Sequence, residues 1–191
     1  MNAPILGQIS RCHAYAQNKG VQVPGFNRQR LIFGAYLLVL IALAELVAGR
    51  FHLPMWPAFM AMIFFFVEHM NPKKAPEILV GAVFGIACIL LAGPIVGTLA
   101  PLLGLEAARL VFVLGIVFAI VAFGEMLPLV FNNYAFMYLT VTALAMELTH
   151  RNPYLWMAVA VAGGGLLIVG VIGIGKMVAA VHPVRSEANT A

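Results

Sequence analysis

Two adjacent asparagines, Asn132 and Asn133, interrupt an otherwise apolar stretch of this 191-residue chain, and Tyr134 follows them. Amide side chains within an apolar segment need hydrogen-bond partners, so they mark a place for polar chemistry. They also stand at the start of a predicted helix, where free N–H groups and the positive dipole end suit an anion. These three residues are therefore candidates for binding a solute. The alternative is that the asparagines cap a helix near water.

A second irregular helix start lies at Trp56 and Pro57. Because Pro54 and Pro57 stand close together, the helical part of this segment has about 14 residues and a length of about 21 Å. That length does not cross a hydrocarbon core of about 30 Å, and non-helical chain at such depth must be buried or line a cavity. We therefore place Trp56, Pro57 and residues 132–134 in one central site. The alternative is that Trp56 is an interfacial anchor.

All acidic side chains of the chain are glutamates. Glu45 and Glu125 lie near the ends of apolar spans, and intramembrane carboxylates commonly carry protons. They are therefore candidate coupling or gating groups of a proton-coupled carrier. The alternative is that each is solvated at headgroup level or paired with a base such as Arg50. Glu68 and Glu147 adjoin turns that contain basic residues, which they are expected to anchor.

No catalytic, metal or cofactor site is expected. The five histidines lie near span ends, without the spacing of a zinc site. Neither a nucleotide-binding loop nor a nucleophile elbow is present, and the isolated Cys12 and Cys88 match no disulfide or zinc framework. The hydroxyls of Thr140 and Thr142 are expected to bond to their own helix. The sequence therefore favours a protein that is not an enzyme.

Membrane-spanning helices must position these residues. The chain is 63% hydrophobic and 9% charged, with a mean hydropathy of +0.99, whereas about a quarter of the residues of a soluble domain are charged. The predicted fold class is therefore all-α membrane, with a loop at 101–105. A span needs about 20 apolar residues, and six transmembrane helices are predicted, at residues 31–49, 57–70, 77–99, 107–124, 129–148 and 154–181.

Six spans place both termini on one side of the membrane. If that side is cytoplasmic, eight of the eleven Lys and Arg residues lie inside, as the positive-inside rule requires. We therefore predict a cytoplasmic N-terminal segment, 1–30, and a cytoplasmic tail, 183–191. The net charge of +4 is spread over helix ends and is not a nucleic-acid footprint. Trp56, Tyr154 and Trp156 fall near span boundaries and are expected at the interfaces.

A weak internal duplication divides the chain. Ala58-Phe59-Met60 recurs as Ala135-Phe136-Met137, and each copy leads to a Glu, an Asn-Pro turn and a glycine-rich span. Each half, 31–105 and 106–182, would hold three spans. Since three is odd, the halves would form a 3+3 inverted repeat with a site at its midplane. The alternative is that an apolar chain shows such echoes by chance.

The order of these motifs also resembles a known family. The stretch Leu53-Pro54-Met55-Trp56-Pro57-Ala58-Phe59, with the Pro-Lys turn and the glycine-containing span after it, resembles the YcdZ-like family of small bacterial inner-membrane proteins, over residues 31–180. The resemblance implies six spans in the bacterial inner membrane and no particular activity. The same order is similar, more weakly, to the membrane half of fusaric-acid and aromatic-acid exporters. No catalytic residue carries over from either group.

The leading hypothesis is a small transporter or channel for a small polar or anionic solute. Its expected partners are the solute, membrane lipid and a second copy of the chain, bound through the glycine-rich sixth span. One alternative is an accessory subunit of a membrane complex, in which the starts of the second and fifth spans would be packed shut. A membrane-embedded enzyme acting on lipid or quinone is a further alternative, against which the scattered histidines argue.

Overall fold

The computed structural model describes residues 28–149 and 152–181, and all the regular secondary structure in those ranges is helical. This confirms the all-α class for the described residues. The predicted tail 183–191 and nearly all of the predicted segment 1–30 lie outside them. The helices are α1 (Arg28–Arg50), α2 (Trp56–Val67), α3 (Ala75–Leu103), α4 (Leu105–Phe123), α5 (Asn133–Thr149), α6 (Pro153–Ala158) and α7 (Gly164–Val181).

Two short irregular helices join these elements. A 3-10 turn, Pro72–Lys74, leads into α3, and five π-helical residues, Val159–Gly163, connect α6 to α7. Because α6, the π-helical residues and α7 follow one another without interruption, they form one rod, which we call the last span.

Four helices are long and apolar enough to cross a membrane: Arg28–Arg50, Pro72–Leu103, Leu105–Phe123 and Pro153–Ala180. The protein is therefore a membrane protein with four candidate spanning helices among its described residues. With 12 and 17 residues, α2 and α5 are shorter. At 1.5 Å per residue they measure about 18 and 26 Å, against a core of about 30 Å. Four of the six predicted spans therefore correspond to helices that are long and apolar enough to cross a membrane.

The shortness of α2 has local causes at both of its ends. Pro57 occupies the first turn, where its missing N–H costs no intrahelical bond. At the other end, His69 and Met70 adopt left-handed backbone angles, with φ of 52° and 58°, which stop the helix. Asn71 then accepts a hydrogen bond from the Lys73 N–H at 3.1 Å and starts the next turn. The helix α2 is therefore flanked by non-helical chain at both ends.

The predicted loop at 101–105 is wrong. The helix α3 continues through Pro94 and Pro101 to Leu103, and Gly104 alone separates it from α4. A proline removes one backbone bond and bends a helix without necessarily ending it in a membrane protein. Gly104 has a φ of +83°, which a residue without Cβ adopts without strain, so it reverses the chain in a single residue.

The helices α3 and α5 approach each other through glycine. A Cβ on Gly81 would lie 2.5 Å from the Asn132 Oδ1, and a Cβ on Gly85 would collide with the carbonyl oxygen of Ala135. This is the small-residue packing by which helices associate in a membrane. The numbers of the contacting residues increase in the same direction along both helices, so α3 and α5 run parallel.

The last span meets α2 in the same way. A Cβ on Gly163 would lie 3.0 Å from the Ala58 Cβ, and one on Gly164 would lie 2.7 Å from the Ala61 Cβ. This pair also runs parallel, because both sets of positions rise together. The main apolar core surrounds this contact, and its buried members include Phe65, Ile78, Val171, Leu167 and Ile168.

The remaining two helices lie on the outside. Leu40 of α1 contacts Gly170 of the last span, and α4 packs along α3. In α1 only Ala48 is buried, and in α4 only Ala108 and Phe112. Many of their other apolar side chains, such as Leu38 and Leu46 of α1 and Phe118 and Val121 of α4, are exposed and suited to contact with lipid.

The packing predicts that Gly85→Ala destabilises the protein strongly, whereas Gly97→Ala does not. The added methyl at Gly85 meets backbone, so the helices must separate, at a cost of about 2–3 kcal/mol. A methyl added at Gly97 would have no heavy atom within 4 Å, so this matched change is neutral or slightly stabilising. Thermal unfolding in detergent measures both. Equal melting temperatures for the two variants would contradict the packing.

Candidate functional site

Five aromatic side chains fill the space between α2 and α5. The backbones of these two helices are not among the closely packed pairs, and aromatic rings bridge the gap. Ring centroids lie 5.3 Å apart for Phe64 and Tyr134, 5.8 Å for Phe64 and Tyr138, and 5.5 Å for Trp56 and Trp156. These distances and the tilted or edge-on orientations are those that aromatic pairs prefer. We call the five residues the aromatic column.

Two tyrosine hydroxyls tie α5 to opposite ends of α2. The Tyr138 hydroxyl donates to the carbonyl oxygen of Pro57 at 2.6 Å, and the Tyr134 hydroxyl donates to the Glu68 Oε1 at 2.5 Å. The tyrosines are four residues apart and so lie on one face of α5. The helix α5 is therefore tied to the N-terminal end of α2 through Tyr138 and to its C-terminal end through Tyr134.

Asn132 joins α5 to α3. Its Oδ1 accepts a bond from the Ala135 N–H at 2.9 Å, which caps the helix, and its Nδ2 donates to the carbonyl oxygen of Glu77 at 3.2 Å. The carbonyl oxygens of Pro128 and Leu129 accept from the same Nδ2, at 3.0 and 3.1 Å. Asn132 therefore caps a helix, as the alternative interpretation of the sequence predicted, and its amide already has several hydrogen-bond partners.

The glutamates differ in their surroundings. Glu68 bonds to Tyr134 of α5, a contact that its predicted role as a turn anchor did not include. The turn itself is anchored by Glu77, whose Oε2 lies 2.7 Å from the Lys74 Nζ. Glu45 and Glu125 are both exposed and lie away from the column. Their coupling or gating role remains a prediction.

Two polar atoms of the site are buried without a partner. The Thr142 Oγ1 and the Trp156 Nε1 have no hydrogen-bond partner in the described part of the chain, and both side chains are 0% exposed. Thr142 follows Tyr138 by one helical turn, and Trp156 packs against Trp56 within the column. An unpaired buried hydroxyl or indole N–H costs about 1–3 kcal/mol. Such groups call for a partner beyond the described residues.

These findings correct two expectations. Thr140 does bond to its own helix, through the carbonyl oxygen of Phe136 at 3.0 Å, but Thr142 does not. Trp156 is fully buried and is not an interfacial anchor, because its ring packs edge-on against Trp56, with the ring centroids 5.5 Å apart.

The structure brings together part of the predicted site. Trp56 and Pro57 contact Tyr138 at one end of the column, Tyr134 lies at its other end, and Asn132 caps α5 next to Tyr134. Asn133 is exposed and points elsewhere. Sequence reasoning missed Tyr138, Thr142 and Trp156. The first two share a helix face with Tyr134 at four-residue spacing, and that spacing was a usable signal.

No family model matches the chain, and neither the curated proteins nor the solved structures gave a match. The resemblances to the YcdZ-like family and to the exporters therefore stay predictions. The column and the packing around it carry the functional inference.

The two adjacent asparagines should respond differently to substitution. Asn132→Ala removes the cap of α5 and its link to α3, so we expect a loss of about 1–3 kcal/mol. Asn133→Ala, the matched control, changes an exposed side chain and should alter stability by less than about 0.5 kcal/mol. Chemical or thermal unfolding in detergent compares them. Equal losses would show that Asn132 has no special role.

Proposed function

We propose that the protein is a small membrane transporter whose polar or anionic solute binds at the aromatic column. The observation that carries the proposal is the pair of buried, unpartnered groups on Thr142 and Trp156. Groups of this kind are expensive in an apolar interior unless they serve a ligand. A solute that passes between α2 and α5 would supply the missing bonds.

The hydrogen-bonding groups at the column restrict the class of solute that it could bind. The Trp156 indole N–H can only donate, and the Thr142 hydroxyl can donate, whereas the Tyr138 hydroxyl already donates its proton to the Pro57 carbonyl oxygen. The two ion pairs of the described residues, Lys74 with Glu77 and Arg109 with Glu106, include no residue of the column. Donors without a fixed cation suit a neutral carbonyl compound or a monovalent anion. They do not favour a cation.

The packing supports a 3+3 inverted repeat. The third helix of each half places its glycines against the alanine-bearing second helix of the other half, at Ala58 in one case and Ala135 in the other. The third helices also start alike, because Asn71 and Asn152 have φ, ψ of −75°, 110° and −68°, 118° and both cap with their Oδ1. The column lies where the halves meet, as binding sites do in inverted-repeat transporters.

Helix directions favour six crossings. The pairs α3 with α5 and α2 with the last span run parallel, while short turns make sequential neighbours antiparallel. Successive segments then alternate through the membrane, with α2 and α5 as short spans completed by non-helical chain. On this proposal the termini are cytoplasmic, the membrane is the bacterial inner membrane, and Glu45 and Glu125 act as coupling or gating groups.

An accessory subunit of a membrane complex remains the second candidate. The observation that favours it is the tight packing at the two helix starts, where Pro57 and Tyr134 are both buried. The proposed self-association through the last span has fewer glycines available than expected. Gly163, Gly164 and Gly170 contact other helices, and Gly173 and Gly175 have open space around them.

Flux measurements on Thr142→Val test the transporter directly. The change replaces the hydroxyl by a methyl of similar size, so a solute-binding hydroxyl would cost about three- to tenfold in flux. Because the hydroxyl has no partner within the described residues, stability should stay the same or rise. Proteoliposomes are assayed with formate, acetate, urea and glycerol, and melting temperatures are measured in parallel.

The matched control is Thr98→Val, whose hydroxyl bonds to the carbonyl oxygen of Ile95 at 2.8 Å on an exposed face of α3. It should leave flux unchanged. If wild-type liposomes pass none of the four solutes faster than empty liposomes, or if Thr142→Val transports like wild type, the column is not a solute site and the accessory-subunit hypothesis gains support.

A further inference from the structure

A groove of about 760 Å³ opens between α4 and α5, over the C-terminal half of α3 and on the face of α5 that points away from the column. Both helices pack on α3 but touch each other little, so they diverge above it. Gly93 and Gly97 of α3 line the floor, Phe112 and Thr140 line the walls, and Arg109 and Glu147 complete the lining. Its volume is within the range of small-molecule sites.

The floor glycines differ from the packing glycines on the same helix. Gly81 and Gly85 are pressed against α5, whereas a Cβ on Gly93 or Gly97 would meet no atom within 4 Å. The second pair therefore serves no internal helix contact. Both glycines are exposed on the floor of the groove. The groove therefore leaves room for an occupant over this pair.

Charge is confined to one end of the groove. Arg109 lies in the second turn of α4, and Glu147 lies in the last turn of α5. Because the two helices are antiparallel, these turns are at the same end of the molecule. The Arg109 Nη1 is 3.5 Å from the Glu106 Oε1, a long and highly exposed pair, and Glu147 forms no ion pair with a described residue. Both side chains are exposed at this end of the groove.

We propose that this groove binds a zwitterionic phospholipid from the bilayer. The guanidinium of Arg109 takes the phosphate, the carboxylate of Glu147 takes the ammonium, and an acyl chain lies along Gly93 and Gly97. Guanidinium groups suit phosphate because their planar N–H donors match its oxygens. An anionic lipid would satisfy Arg109 but would leave its headgroup beside the Glu147 carboxylate.

Native mass spectrometry of the detergent-purified full chain tests the assignment, with phosphatidylethanolamine and phosphatidylglycerol offered in equal amounts. We expect phosphatidylethanolamine to bind about two- to fivefold better, the range of an exposed ion pair. Glu147→Gln should remove that preference, and Arg109→Gln should weaken both lipids. Arg50→Gln is the matched charge control and should change neither.

Gly97→Leu fills the groove and should lower binding of either lipid about tenfold or more. It adds atoms to open space, so the fold is preserved, which a melting temperature checks. Gly173→Leu, on the last span, also extends into open space but lies outside the groove, and it should bind lipid like wild type. Equal or better binding of phosphatidylglycerol by the wild type, or equal binding by Gly97→Leu and Gly173→Leu, would overturn the proposal. Solute flux plays no part in this test.

Discussion

Close contact between glycine and alanine faces holds the described helices together. In a lipid environment apolar side chains gain little by leaving their surroundings, so helices associate where small residues let their backbones approach. Gly81 and Gly85 provide that approach to α5, and Gly163 and Gly164 provide it to α2. With α3 and the last span fixed in this way, α2 and α5 face each other across a gap that only long side chains can bridge. The aromatic column follows from that spacing.

Hydrogen bonds and unpaired polar groups then determine the binding chemistry of the column. Tyr134 and Tyr138 bond to groups at the two ends of α2, and these bonds are the main polar links between the two short helices. Thr142 and Trp156, whose polar atoms have no partner in the described chain, lie beyond Tyr138 at the Pro57 end of the column. Unsatisfied polar groups beside satisfied ones are the arrangement expected of a binding site. The groove between α4 and α5 is separate from the column and uses the opposite face of α5, so the two proposed sites flank one helix, α5.

Much of the helical fold could be predicted from the sequence, because apolar segment length and Asn-Pro turns are local signals. The sequence also indicated irregular starts at Trp56 and Asn132, and both are real. Prediction from the sequence failed where the outcome depends on neighbours in the folded structure. Pro101 did not end α3, since Gly104 alone reverses the chain. Trp156 has the position of an interfacial anchor but is buried by α2. The unpartnered state of Thr142 depends on its neighbours in space, which spacing alone does not reveal.

Six alternating crossings are the central claim, because they place the column where two halves meet. Cysteine labelling measures this, with Phe51→Cys and Lys73→Cys introduced separately into a chain that carries Cys12→Ser and Cys88→Ala. Both positions are exposed, one before α2 and one after it. If α2 crosses the membrane, a membrane-impermeant maleimide added to intact cells labels Cys at 51 and leaves Cys at 73 protected. Equal labelling of both positions would mean that α2 does not cross, and it would contradict the inverted repeat.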